Sequence, residues 1–454
     1  MARRAIAAVL AALLALTGLV AGSVAASADD GKHYAGEFDG VPYRVEVPAG
    51  WNGTLLLFSG VLYNGQLGLA TYAATEQWAL GHGYALAGTP KSWDVGAGLQ
   101  SQLAVLDWFE QHIGIPRHTV SWGTSLGGLT AVVLAERSPG RVDGVVSLCG
   151  PLAGTVSTWN GLLDLNFAIK TLLAPDSDLE LVHISDPAAN QQKLQQIVEG
   201  ALASPQGRAR LALANALADV PGWFTALQPR ATDVEAQVRQ QGAFDVAAFD
   251  ITGGGMRADI ERQAGGNPSW NAGVDYRRLL THSSERRLVR QAYHQAGGDL
   301  SADLDRLAKA ARIRADERAV AYLARSGTPR GTTPAPVVTL HTTGDVLAVP
   351  EHERHYAQQV RRFGDPAELR QLFVERGGHC TYTPSEEIVS LQAVLHRIDT
   401  GRWADTSPAR LTAAANQFGS QYQRVLDWAT ASVGSVQPAF VPYTPGRFLR
   451  PFPL

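Results

Sequence analysis

Cysteine is nearly absent: two residues, Cys149 and Cys380, in a chain of 454, enough for one disulfide at most. Charge is also scarce, at 18% of residues, and neither sign dominates. With 39 Lys and Arg against 42 Asp and Glu the formal net charge is −3. That leaves no basic footprint for nucleic acid and no strong field to steer an ionic partner. No internal repeat and no low-complexity tract occurs, and beyond the first 30 residues no apolar run is long enough for a membrane span. What is present is a 45% hydrophobic fraction, ample for a large buried core.

The first residues carry a targeting signal. Arg3 and Arg4 form a positive start, Ile6 to Val20 an apolar run short for a bilayer, and Ala26-Ser27-Ala28 a small-x-small cleavage site before Asp29. The reading is a secretory signal over 1–28, a mature extracellular chain, and no stable membrane insertion once the signal is removed. The alternative is an uncleaved anchor.

The mature chain alternates strand and helix patterns. Strands are expected at Val41–Val47, Thr54–Phe58, Tyr84–Thr89, Thr119–Trp122 and Val142–Leu148, with helices at Leu99–Ile113 and Leu126–Glu136. Continuous apolar runs such as T-L-L-L-F suit strands buried on both faces, and the alternation argues for a parallel sheet covered by helices on both sides. From residue 151 to 335 the pattern turns helical and Gly-broken, with no convincing buried strand. It resumes at Val337–Thr342, with a helix near Glu351–Arg361, a strand at Leu369–Glu375 and a helix at Ser385–Ile398. A further helix is expected over Pro408–Trp428, followed by an end packed on the surface. The domain reading is a sheet-based core (29–150 and 336–454) interrupted by a helical cap (151–335).

Residues 119–128 read T-V-S-W-G-T-S-L-G-G: a strand runs into Gly123-Thr124-Ser125-Leu126-Gly127 and a helix follows. That context gives G-x-S-x-G its meaning, because the serine then sits on a strained strand-to-helix turn with glycines leaving room for close backbone approach. The amide of Leu126 and the helix dipole can stabilise an oxyanion. A serine hydroxyl needs a base held in one tautomer. Asp345 follows the strand at Val337 through Thr342-Thr343-Gly344, and His379 follows the strand at Leu369 through Arg376-Gly377-Gly378. The order Ser125, Asp345, His379 assigns nucleophile, acid and base.

Over roughly 35–150 and 336–400, the segments G-T-S-L-G, G-D-V-L-A-V-P and G-G-H resemble the nucleophile, acid and histidine segments of the α/β-hydrolase superfamily. The resemblance implies a Ser-His-Asp triad on a mostly parallel eight-stranded sheet, with helices on both faces and a cap inserted after strand six. Where many members have His-Gly after the third strand, this chain has Ser59-Gly60-Val61-Leu62-Tyr63, so the second oxyanion donor is expected to be the Val61 amide, or else the Tyr63 hydroxyl. Cys149 ends the strand after the nucleophile helix and Cys380 adjoins His379. A Cys149–Cys380 disulfide would tie the histidine loop to the scaffold, as in tannases and feruloyl esterases, whose partner cysteine however precedes the serine. Two unrelated buried thiols are the alternative.

Other patterns are discounted. His352-Glu353-Arg354-His355 has its histidines three apart rather than four and reads as a solvated helix face, not a zinc helix. Gly253-Gly254-Gly255 lacks the following Lys-Ser or Lys-Thr of a phosphate loop. His341, on its strand, reads as structural. Trp159, Trp223 and Trp270 either line a substrate pocket or pack, and Asp275 and Tyr276 are candidates to face the site. The expected reaction is hydrolysis of an ester in a small or polymeric substrate, with an amidase or peptidase and a non-catalytic scaffold as rivals. No metal and no organic cofactor are implied.

Overall fold

The computed structural model describes residues 31–60, 62–63 and 66–453, so the expected signal segment lies outside the described residues, as does Val61. The main sheet has eight strands: β1 (Lys32–Phe38), β2 (Val41–Val47), β3 (Thr54–Gly60), β4 (Ala85–Pro90), β5 (His118–Thr124), β6 (Gly144–Leu148), β7 (Val337–Gly344) and β8 (Leu369–Gly377). Their order is β1-β2-β4-β3-β5-β6-β7-β8. The β1–β2 and β2–β4 pairs are antiparallel and the other five parallel. The expected fold class, a mostly parallel eight-stranded sheet with helices on both faces, is the observed one.

The alternation of side chains explains the two-sided burial. In β3, Leu56 and Phe58 join a core beneath α1 (Ala73–Gly81) and α15 (Pro384–Thr400), whereas Leu55 and Leu57 join a second core beneath α2 (Val95–His112), α3 (Leu126–Arg137) and α14 (Glu351–Phe363). Every residue of β3 is buried, the signature of a strand covered on both faces. Helix α2 starts four residues before the expected Leu99, because Asp94 caps it through Oδ1, which accepts from the Ala97 amide at 3.2 Å.

Between β6 and β7 the described chain forms ten helices, from α4 (Thr155–Leu173) to α13 (Glu317–Gly327). They have an apolar core of their own, built on Leu165, Ile169, Leu211, Phe244, Phe249 and Leu307, which Val346 of the Asp345 loop enters from the sheet side.

The C-terminal segment differs from expectation. Its helix ends at Ala415, and a hairpin (Arg424–Asp427 with Ser432–Ser435) follows. Beyond it the chain does not merely rest on the surface. The Glu375 amide donates to the Ala439 carbonyl (2.8 Å) and the Val441 amide to the Phe373 carbonyl (2.9 Å), extending the sheet past β8 and covering its edge. Phe448 is buried against His352, and Arg450 pairs with Asp164 of α4.

Candidate active site

Ser125 links β5 to α3 with φ 57° and ψ −123°, a strained conformation for a residue with a side chain. Its amide donates to the Leu148 carbonyl at 2.8 Å, which anchors the turn to the neighbouring strand. The flanking glycines are obligatory. A Cβ on Gly123 would lie 2.7 Å from the Gly127 carbonyl carbon, and one on Gly127 would lie 2.4 Å from the Ser59 carbonyl oxygen. Leu126 is the first residue of α3, where helix amides have no partner within the helix. Of the expected second oxyanion donors, Val61 lies outside the described residues, and so does the Tyr63 side chain.

Asp345 and His379 arrive from the ends of the adjacent strands β7 and β8. The Gly378 amide donates to the Gly344 carbonyl at 3.0 Å and Thr342 Oγ1 to the Gly378 carbonyl at 2.8 Å, so the two loops are fastened together. Behind His379, Arg376 makes a two-pronged pair with Glu386 (2.7 and 3.1 Å), and Glu386 completes a capping box with Thr383 at the start of α15. The structure thereby brings the three residues together. His379 Nε2 lies 2.9 Å from Ser125 Oγ, and His379 Nδ1 lies 2.8 and 3.0 Å from the Asp345 carboxylate oxygens. Asp345 Oδ1 also accepts from the Leu347 and Ala348 amides, both at 2.9 Å. Burial favours the neutral acid, but the neighbouring His379 and His341 outweigh it and hold this carboxyl well below the usual range.

A disulfide joins Cys149 and Cys380, with Cα atoms 5.4 Å apart and 231 residues apart in sequence. Cys380 Sγ lies 3.2 Å from His379 Nε2. These three side chains form the one metal-sized grouping among the described residues, and its sulfurs are bonded to each other rather than available as thiolates.

The family model described as alpha/beta hydrolase fold matches residues 80–170, the stretch that holds β4, β5, the Ser125 turn and β6. The chain has the α/β-hydrolase fold. Its sequence is 29% identical over 415 residues to o-phthalyl amidase of Xanthobacter agilis, across 83% of this chain and 89% of that one. Among solved structures, feruloyl esterase B from Aspergillus oryzae overlays with TM-score 0.36 at 12% identity, over 83% of this chain and 82% of its own. Est1E from Butyrivibrio proteoclasticus overlays with TM-score 0.32 at 11% identity, over 85% and 96%.

A second histidine, His341, stands beside Asp345, and sequence reading left it as a structural residue. His341 is fully buried on β7; Nδ1 faces Glu353 Oε1 at 3.1 Å, and Nε2 faces the Ala348 carbonyl at 2.5 Å and Asp345 Oδ2 at 3.4 Å. Both ring nitrogens face acceptors, so both carry protons. Burial disfavours that charge, but Asp345 and Glu353 overcome it and raise the group to about 10. Glu353 also accepts from Thr339 Oγ1 (2.6 Å) and Gln371 Nε2 (2.5 Å). The segment His352-Glu353-Arg354-His355 is therefore not a solvated face: His352, Glu353 and His355 are all buried. His352 Nδ1 accepts from the Ala153 amide at 3.0 Å, and burial pushes its pKa well down.

The remaining candidates are packing groups. Trp223 lies where a Cβ on Gly377 would come within 2.5 Å of its ring, and its indole donates to the Gln228 carbonyl. Trp159 packs against Trp93, and Trp270 against Phe452. Asp275 caps its helix by accepting from the Arg278 amide, and the Tyr276 hydroxyl donates to Asp164.

Proposed function

We propose that this α/β hydrolase is a serine acyl hydrolase, with Ser125 as nucleophile, His379 as base and Asp345 as its orienting acid. The observation that carries the reading is the 2.9 Å contact from His379 Nε2 to Ser125 Oγ, with Asp345 on the opposite ring nitrogen. Ser125 Oγ attacks a carbonyl carbon as its proton passes to His379 Nε2, and the carbonyl oxygen becomes an oxyanion. The Leu126 amide is one donor to that oxyanion and the Val61 amide the expected second. Collapse expels the leaving group, which takes the proton from His379. Water then attacks the acyl-enzyme, with His379 again as base, and releases the acid and free Ser125.

Two leaving groups fit this chemistry. Ester cleavage is the broader expectation. Amide cleavage is favoured by one specific observation, the similarity to a protein named o-phthalyl amidase. We infer further that the helices between β6 and β7 act as a cap that sets selectivity, and that the chain is secreted, a reading its signal-like first residues and its disulfide support.

The test is labelling with a fluorophosphonate, expected at Ser125 alone, followed by Ser125→Ala, expected to abolish hydrolysis of both a phthalyl amide and the matching ester. Labelling at another residue, or retained activity in a folded Ser125→Ala protein, overturns the assignment.

A further inference from the structure

Asp345 is held from two sides, and His379 occupies one of them. On the other, His341 Nε2 lies 3.4 Å from Asp345 Oδ2 and 2.5 Å from the Ala348 carbonyl. The Ala348 amide in turn donates to Asp345 Oδ1 at 2.9 Å. His341 therefore closes the turn that runs from Asp345 to Ala348: it bonds the carbonyl of the residue whose amide bonds the acid.

Glu353 fixes the far side of the ring, with Oε1 3.1 Å from His341 Nδ1. It is the third residue of α14 and fully buried. Its other oxygen accepts from Thr339 Oγ1 at 2.6 Å and Gln371 Nε2 at 2.5 Å, which ties the carboxylate to both β7 and β8. A continuous line of side-chain contacts thus runs from Glu353 through His341, Asp345 and His379 to Ser125.

The line carries charge as well as position. Both ring nitrogens of His341 face acceptors, so the ring is an imidazolium between two carboxylates. The other ionisable neighbours are His352 of α14, which burial keeps neutral, and His379 beyond Asp345. Glu353 and His341 offset one another, and His379 meets the one net negative charge of Asp345. Without the imidazolium, Asp345 and Glu353 would be like charges in one buried region, an arrangement that favours a proton on one of them. A protonated Asp345 is a poorer acceptor for the Nδ1 proton of His379, and the base loses its orienting partner.

We propose that His341 is a positioning residue for the reaction: its imidazolium, anchored by Glu353, keeps the Asp345 carboxylate ionised and in the orientation that His379 requires. This rests on Ser125, His379 and Asp345 being the catalytic residues.

The test is a double-mutant cycle read on 4-nitrophenyl acetate and 4-nitrophenyl butyrate at pH 8. His341→Gln keeps a donor near the Ala348 carbonyl and removes the charge. It should lower kcat about tenfold, the size of a charge-assisted contact, with KM within about twofold of wild type. In an Asp345→Asn background the same substitution should cost less than about twofold, since the acid it acts on is gone. A merely structural histidine would cost the same factor in both backgrounds. That result overturns the proposal, as does a kcat unmoved by His341→Gln while Asp345→Asn is impaired. If Asp345→Asn alone retains full activity, the acid assignment itself falls and takes the proposal with it. Should His341→Gln fail to fold, nitrogen-15 NMR of wild-type protein labelled in histidine decides at the same pH. With its pKa raised to about 10, the ring should still show two protonated nitrogens, and a neutral His341 ring overturns the proposal.

Discussion

At Asp345 a single buried carboxylate serves two histidines, His379 at 2.8–3.0 Å and His341 at 3.4 Å. The consequences can be separated by mutation. Asp345→Asn should lower turnover by about 10⁴-fold, the scale seen when an orienting acid is lost, with KM little changed. Steady-state kinetics on either ester above reads this directly. His341 gives a different signature. Its folded pKa of about 10 lies above the roughly 6.5 of an unfolded histidine, so the folded protein holds a proton that the unfolded chain releases. That stabilisation is full below about pH 6.5 and declines as pH rises toward 10. His341→Gln should therefore flatten the fall in melting temperature across this range. An unchanged slope by scanning calorimetry shows that the cation is not there.

The elements that position the site were the most readable ones, for a physical reason. Strands such as Thr54–Gly60 are buried on both faces and so are continuously apolar; Ser125 and Asp345 follow largely buried strands, and His379 follows a half-buried one through Gly377 and Gly378. Polar sequence misled where burial is offset by pairing. The α14 segment E-H-E-R-H reads as exposed because no pattern of residue types announces that Glu353 will meet Thr339, His341 and Gln371. The expected helix to Trp428 stops at Ala415, and Asp427 turns inward to accept from Thr225 and the Ala226 amide in the helical region between β6 and β7. Asp427→Ala should loosen that attachment and increase hydrogen exchange of the Trp223–Ala226 amides, with β5 and β6 unaffected.

Across the whole molecule two long-range ties join parts that the sequence separates. Arg450 reaches the buried Asp164 from the C-terminal segment, and its second guanidinium nitrogen donates to the Trp270 carbonyl at 2.8 Å. Burial raises Asp164 to about 6, and Arg450 opposes that rise. Removing one partner of a buried pair costs about 3–5 kcal/mol, so Arg450→Ala should lower the melting temperature markedly, and the double variant with Asp164→Asn should recover part of the loss. The second tie is the disulfide. Reducing it, or Cys380→Ser, should remove about 2–5 kcal/mol of stability on the chain-entropy account, measured by urea unfolding with and without reductant.

The same bond changes what a protease can do to the molecule. Cys149 and Cys380 close the intervening 230 residues, and with them all ten helices between β6 and β7, into a covalent ring. One cut within that ring, at an exposed turn such as the one around Asp176, leaves a single molecule of unchanged mass apart from one added water. Strands β1 to β6 then remain covalently joined to β8 through sulfur even though the backbone between them is broken. A nicked sample would run as one band without reductant and as two with it, and its Ser125 and His379 would still be tethered.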